Sequence, residues 1–167
     1  MPQFADKDAC ELLDADHIAV KHLFVDYARL ATAGIATDDS GAQRTALAMK
    51  ICDELTIHAT IEEEIFYPAL RQALPDTAEM LDEAVEEHQD AKELIADIRA
   101  IGTANASMDT LIAELNVVIE HHVKEERDDL FPKAKAEPKL DLVALGKELL
   151  SRQQQLHSQM EASPSEV

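Results

Sequence analysis

Apolar residues recur at three- and four-residue steps along most of the chain, the mark of helices with one buried stripe. From about Asp6 to Ala33 the stripe is Leu12, Leu13, Val20, Leu23, Phe24, Tyr27 and Leu30. The stretch TAGIATDDSGA then breaks it. A second segment begins near Ser40 and carries Leu47, Ile51, Leu55, Ile61, Ile65 and Phe66. Pro68 predicts a kink or an end, and the segment finishes by Pro75. A third opens on Pro75 and Asp76, a favourable helix start. It runs through Met80, Leu81, Val85, Leu94, Ile95 and Ile98 to Gly102, a natural C-cap. A fourth has Ser107 as its expected N-cap and Asp109 in its first turn. Leu111, Ile112, Leu115, Val118, Ile119, Leu130 and Phe131 follow, up to Pro132. A fifth, from about Pro138 to Met160, is amphipathic but polar toward its end, and the tail ASPSEV is expected to fray.

Four helices of roughly 26 to 30 residues joined by short loops predict an all-α, antiparallel up-down-up-down four-helix bundle. The expected organisation is a bundle over 1–135, with residues 136–167 as an additional C-terminal helix packed outside it and a frayed tail.

Composition supports this. The chain has 167 residues, 46% of them apolar, with four Phe, two Tyr and no Trp, so the core must be aliphatic. Four Gly and six Pro are too few for an all-β or disordered chain. A net charge of −19 is repelled by phosphate backbones and anionic lipid, so neither nucleic acid nor membrane is an expected partner. Cys10 and Cys52 lie far apart without a CxxC; they are not a disulfide framework and are expected in the core. The N-terminus lacks a basic, apolar leader and no run of about 18 apolar residues exists, so a cytoplasmic protein is expected.

Candidate chemistry comes from a repeat. HATIEEEIFYP (58–68) and HVKEERDDLFP (122–132) each begin with His, place a Glu four residues on, and end on an aromatic and Pro. Antiparallel geometry puts His17, His58, His88 and His122 on one level of the bundle, since each lies about 12 to 17 residues from the relevant helix end. Each sits in an apolar stripe: Leu13, Val20 and Phe24 flank His17, and Leu55 and Ile61 flank His58. Residues four apart share a helix face, so Glu62 and Glu126 point inward beside His58 and His122. Two carboxylates in a core cost several kcal/mol each unless paired. Lys21 and Lys92 are the nearest cations at that level. Six such side chains converging from four helices predict a site for two metal ions, with the carboxylates bridging. Imidazole suits Zn, Cu, Fe and Ni, and bridging carboxylates suit iron and manganese, so iron is favoured over zinc. His22 is about 140° round the helix from His17 and is expected at the surface, as is His157. Tyr27 is expected in core packing.

One His on the first helix, His-x-x-x-Glu on the second, one His on the third and His-x-x-x-Glu on the fourth resembles the hemerythrin-like family, the HHE cation-binding domain. The matching residues are His17, His58 with Glu62, His88, and His122 with Glu126, and the resemblance covers about Cys10 to Pro132. It implies a four-helix bundle around two non-haem iron ions with an oxo or hydroxo bridge. His17 and His58 would hold one, His88 and His122 the other. This chain departs from the oxygen carriers of that family at Lys92, where those have a second third-helix His, and at Glu126, where those have Asp at a five-residue spacing. Each iron would then keep about one free position, which favours reaction with oxygen, peroxide or nitric oxide over simple oxygen storage.

Rival sites fit less well. Ferritin-like proteins need Glu three residues before His, and here Leu55, Val85 and Ile119 stand there. The His-Glu-x-x-His of zinc proteases is absent. The expected function is metal-dependent binding of, or reaction with, a small diatomic or peroxide ligand, in sensing or stress response. A peroxide- or nitric-oxide-detoxifying enzyme, or an iron-storage or iron-donor protein, is the alternative. A monomer or weak homo-oligomer is expected.

Overall fold

The computed structural model describes residues 7–32 and 38–162. The expected segment starts near Asp6, the break after Thr32 and most of the tail lie outside the described residues. α1 (Ala9–Thr32) and α2 (Asp38–Ile61) are followed by a π-helical turn (Glu62–Phe66) and α3 (Tyr67–Ala73). A 3-10 turn (Pro75–Thr77) leads into α4 (Ala78–Ile101). α5 (Ala106–Glu125), a second π turn (Glu126–Leu130) and α6 (Phe131–Ala136) come next, and α7 (Leu142–Ala162) is last. The described residues contain no strand.

α1 packs on α2 and α5, and α4 packs on α2 and α5, which closes the all-α four-helix ring predicted from the stripes. Gly102 ends α4 at φ 70°, with its N–H donating to Ile98 O at 3.1 Å, as its position predicts. The N-cap of α5 differs from expectation. Asn105, not Ser107, accepts the Met108 N–H at 2.8 Å. Asn caps as well as Ser, and capping from Asn105 places Met108 wholly inside.

Pro68 does not stop its helix. A proline inside an α-helix clashes with the carbonyl four residues back and cannot donate to it. Here the turn before it widens: the Tyr67 N–H donates to Glu62 O, five residues back, and Pro68 then opens α3, where a missing N–H costs little. The second copy does the same, with Phe131 N–H donating to Glu126 O ahead of Pro132.

The core is two apolar clusters. One holds Leu13, Ile61, Phe66, Tyr67, Leu70, Leu81, Leu130 and Phe131. The other holds Val20, Phe24, Ile51, Leu55, Ile95, Ile98, Met108 and Leu115. Between them, on every bundle helix, lies the polar level predicted from the histidines. α7 packs on α1, α2 and the first π turn, and its Leu145 and Leu149 complete the first cluster. Gly146 makes the approach possible, because a Cβ there would collide with Lys7 O and the backbone of Asp8 and Ala9.

Candidate metal centre

Six ionisable side chains meet at that level, and all are buried: His17, His58, Glu62, His88, His122 and Glu126 are 0 to 8% exposed. His17 and His58 bring their Nε2 atoms to 3.1 Å, as do His88 and His122. Glu62 Oε1 is 3.0 Å from His58 Nε2, 3.2 Å from His88 Nε2 and 3.7 Å from His122 Nε2. Glu126 Oε1 is 2.9 Å from His122 Nε2 and 3.4 Å from His17 Nε2. Each carboxylate therefore reaches both histidine pairs. Despite these distances, both oxygens of Glu62 and Oε1 of Glu126 make no hydrogen bond. Buried carboxylate oxygens are rarely left so. These oxygens and the four Nε2 atoms crowd around shared points. Two such points emerge: donors of His17, His58, Glu62 and Glu126 lie within 4.8 Å of one another, and so do those of Glu62, His88 and His122.

The model of the hemerythrin HHE cation binding domain matches residues 8–134. The chain belongs to that family. A crystal structure of an HHE cation binding domain-containing protein from Mycobacterium kansasii superposes with a TM-score of 0.72 at 23% identity, covering 94% of this chain and 91% of that one. This likeness carries the fold. A protein of Nostoc described as a DNA nickase is 33% identical over 84 residues, 49% of this chain. The match spans only 23% of that protein's length.

Electrostatics of this HHE domain suit a cation. Burial alone lowers the His58 pKa, but the Glu62 charge and the Asp16 hydrogen bond outweigh it and raise it to about 10. His88 and His122 are raised as well, against the same burial, by Glu62 and Glu126 respectively. Burial raises the Glu62 carboxyl, but the charge on His58 together with the close Glu126 and His122 groups more than reverses this, holding it well below the usual range. With these imidazoles raised, a cation binding here would displace protons from His58, His88 and His122.

The far side of each imidazole meets a second carboxylate. His58 Nδ1 is 3.3 Å from Asp16, His88 Nδ1 3.3 Å from Glu63, and His122 Nδ1 3.1 Å from Glu87. His17 Nδ1 is 3.6 Å from Asp14 and makes no hydrogen bond. Such partners fix ring orientation and raise ligand basicity. Each outer carboxylate is held in turn: Asp16 by Gln153 of α7 (2.8 Å), Glu63 by Lys92 (3.0 Å), Glu87 by His121 (3.4 Å) and Asp14 by Arg127 (2.5 Å). Lys92, anticipated as a cation at this level, thus serves Glu63 and not Glu62. The His88 hydrogen bond is the largest influence lowering the Glu63 pKa.

Other sequence expectations resolve simply. His22 is exposed. His157 is half-buried rather than free in solvent, because its Nε2 meets Glu54 at 3.1 Å. Tyr27 packs in the second core cluster and donates to Asp109 at 2.6 Å. Cys10 and Cys52 are buried thiols, pushed up to about 12 and about 11 by burial. The residue that sequence reasoning missed is Tyr67, wholly buried with its hydroxyl among the histidines. The aromatic-Pro ending of each repeat was its signal.

A cavity of about 30 Å³ adjoins the four histidines, walled by Val20, Leu55, Ala59, Ala91, Ile95 and Ile119 and lined also by Asp16 and Lys92. A water needs about 10–15 Å³ on this measure, so the space suits a molecule of two or three heavy atoms. No helix among the described residues is long and apolar enough to cross a membrane.

Proposed function

We infer that this HHE domain holds two iron ions with an oxo or hydroxo bridge, and that it binds or reacts with oxygen, peroxide or nitric oxide in sensing or stress response. His17 and His58 would hold one ion and His88 and His122 the other, with Glu62 and Glu126 placed to serve both. The observation that carries this is the set of buried carboxylate oxygens without hydrogen bonds, facing four imidazole nitrogens. Imidazole and carboxylate together suit iron, which both ligand types favour, over zinc. When bound, the metal pair supplies electrons and open coordination positions to a small ligand. The chain does the rest. The outer carboxylates Asp16, Glu63 and Glu87 hold the rings with Nε2 inward. The aliphatic walls of the cavity exclude bulk water and large molecules.

A cytoplasmic protein acting without nucleic acid or membrane, as a monomer or weak homo-oligomer, fits the charge of −19. The test is metal content by mass spectrometry with a visible spectrum before and after azide. About two irons per chain with near-ultraviolet bands that shift on azide are expected. Zinc alone, or a folded protein without metal, overturns the proposal. Sustained peroxide turnover by the loaded protein would make it an enzyme rather than a binder.

A further inference from the structure

The two halves of the centre are related by the repeat, and at the aromatic that ends each copy they differ by one hydroxyl. Tyr67 and Phe131 occupy equivalent places, each closing a π turn and preceding a proline. Each lays its ring along a histidine of another helix: Tyr67 on His88 (centroids 5.5 Å, 22°) and Phe131 on His17 (6.0 Å, 9°). Only Tyr67 carries a hydroxyl. Its Oη lies 3.4 Å from each of three atoms, His88 Nε2, His122 Nε2 and Glu126 Oε2. Good O–H···O hydrogen bonds are about 2.5–3.0 Å long. A phenol that is 1% exposed and at this distance from every partner is committed to none of them. It is aimed, like the ring nitrogens, at a shared point. The point between His17 and His58 already has four protein donors, whereas the one between His88 and His122 has three.

We propose that Tyr67 Oη is a further protein donor to the metal ion held by His88 and His122, beside the two carboxylates that it shares with the other ion, so that the two metal positions are chemically unequal. The ion takes the place of the hydroxyl proton, which leaves to solvent. Tyr67 belongs to the core cluster opposite the apolar cavity and does not line it. With Tyr67 added to its donors the second ion would have fewer open positions, so an external ligand reaching the centre through the cavity would bind more readily at the His17/His58 half. The inference rests on the two-metal reading above.

Only two tyrosines are present, and Tyr27 lies in the other core cluster bonded to Asp109, so tyrosine spectroscopy is clean here. Metal-free protein is titrated with Zn²⁺ while ultraviolet tyrosinate difference absorption is followed. The iron-loaded protein is examined for a visible phenolate-to-iron band and for phenolate modes in resonance Raman. One tyrosinate per chain is expected, appearing with the second ion, and both signatures vanish in Tyr67→Phe. That variant should retain the first ion and bind the second more weakly, by at least the ~10-fold that loss of an outer partner costs. The fold tolerates the change, because Phe131 already fills the equivalent place; circular dichroism of the metal-free variant checks this. Two ions bound by the wild type without a tyrosinate signal, or with a signal that survives in Tyr67→Phe, overturns the inference and leaves the two-metal reading standing. A wild type that takes up fewer than two ions removes that reading itself.

Discussion

Replacing Glu87 by Gln removes a charge that never touches the proposed metal ions. Glu87 Oε1 is 3.1 Å from His122 Nδ1, the shortest of the four outer contacts. Gln keeps the volume but not the charge that makes the ring more basic. Outer partners of this kind carry ~10–100-fold in metal affinity, or about 1.4–2.7 kcal/mol. Asp14→Asn is the internal comparison. Its oxygen is 3.6 Å from His17 Nδ1, which makes no hydrogen bond, and its firm contact is with Arg127 at the surface. Losing it should cost no more than an exposed ion pair, within about fivefold. Asp16→Asn and Glu63→Gln, each at 3.3 Å, should fall between the two. The assay is competition for Zn²⁺ against a chromophoric chelator, with the melting temperature of each metal-free variant measured alongside. A metal-free melting temperature that moves as much as the affinity would make the effect structural. Asp14→Asn weakening binding as much as Glu87→Gln would refute the reasoning, because distance to the ring nitrogen would then not govern the effect.

The other expectations are briefer. His58→Ala and Glu62→Ala should each remove most of the bound metal by mass spectrometry, while His22→Ala, on the exposed face, should leave the content unchanged. The pH dependence has a definite sign. The His58 pKa is raised from 6.5 to about 10 in the metal-free fold, so its stabilisation is full below about 6.5 and is lost as pH climbs through about 10. Metal-free protein should therefore melt lower as pH rises across that window, while Zn²⁺ affinity increases because fewer protons compete; a metal-free melting temperature that rises instead contradicts the assignment. Gly146→Ala should cost about 1–3 kcal/mol in denaturant titrations by pushing α7 off the start of α1.

The level of the four histidines was legible because it needs only helix ends, a constant rise and antiparallel order. The outer carboxylates were not. Asp16 adjoins His17 in sequence but serves His58 across the bundle, and Glu87 adjoins His88 but serves His122. With 34 acidic residues in the chain, no single carboxylate stands out until the helices are placed. The role of α7 was hidden for a related reason. Its polar end looked solvated, yet Gln153, Arg152 and His157 each meet an acidic group of α1, α2 or the first π turn.

Tyr67 escaped for a geometric reason that also explains the two prolines. On a regular α-helix, five residues turn the chain by about 500°, which leaves position 67 about 140° away from Glu62. Glu62 and Tyr67 could not then both face the centre. The π turn changes that relation, because its hydrogen bond runs from the Tyr67 N–H to Glu62 O and stacks residues five apart. Glu62, Phe66 and Tyr67 all become buried together. A widened turn is costly to hold in water. A proline directly after it removes the donor that a regular α-helix would use at that point. The same device recurs at Glu126, Phe131 and Pro132. His-x-x-x-Glu fixes the ligand pair, and aromatic-Pro fixes the turn that brings a ring over the opposite histidine. Neither half of the motif would suffice, which is why the chain carries both together, twice.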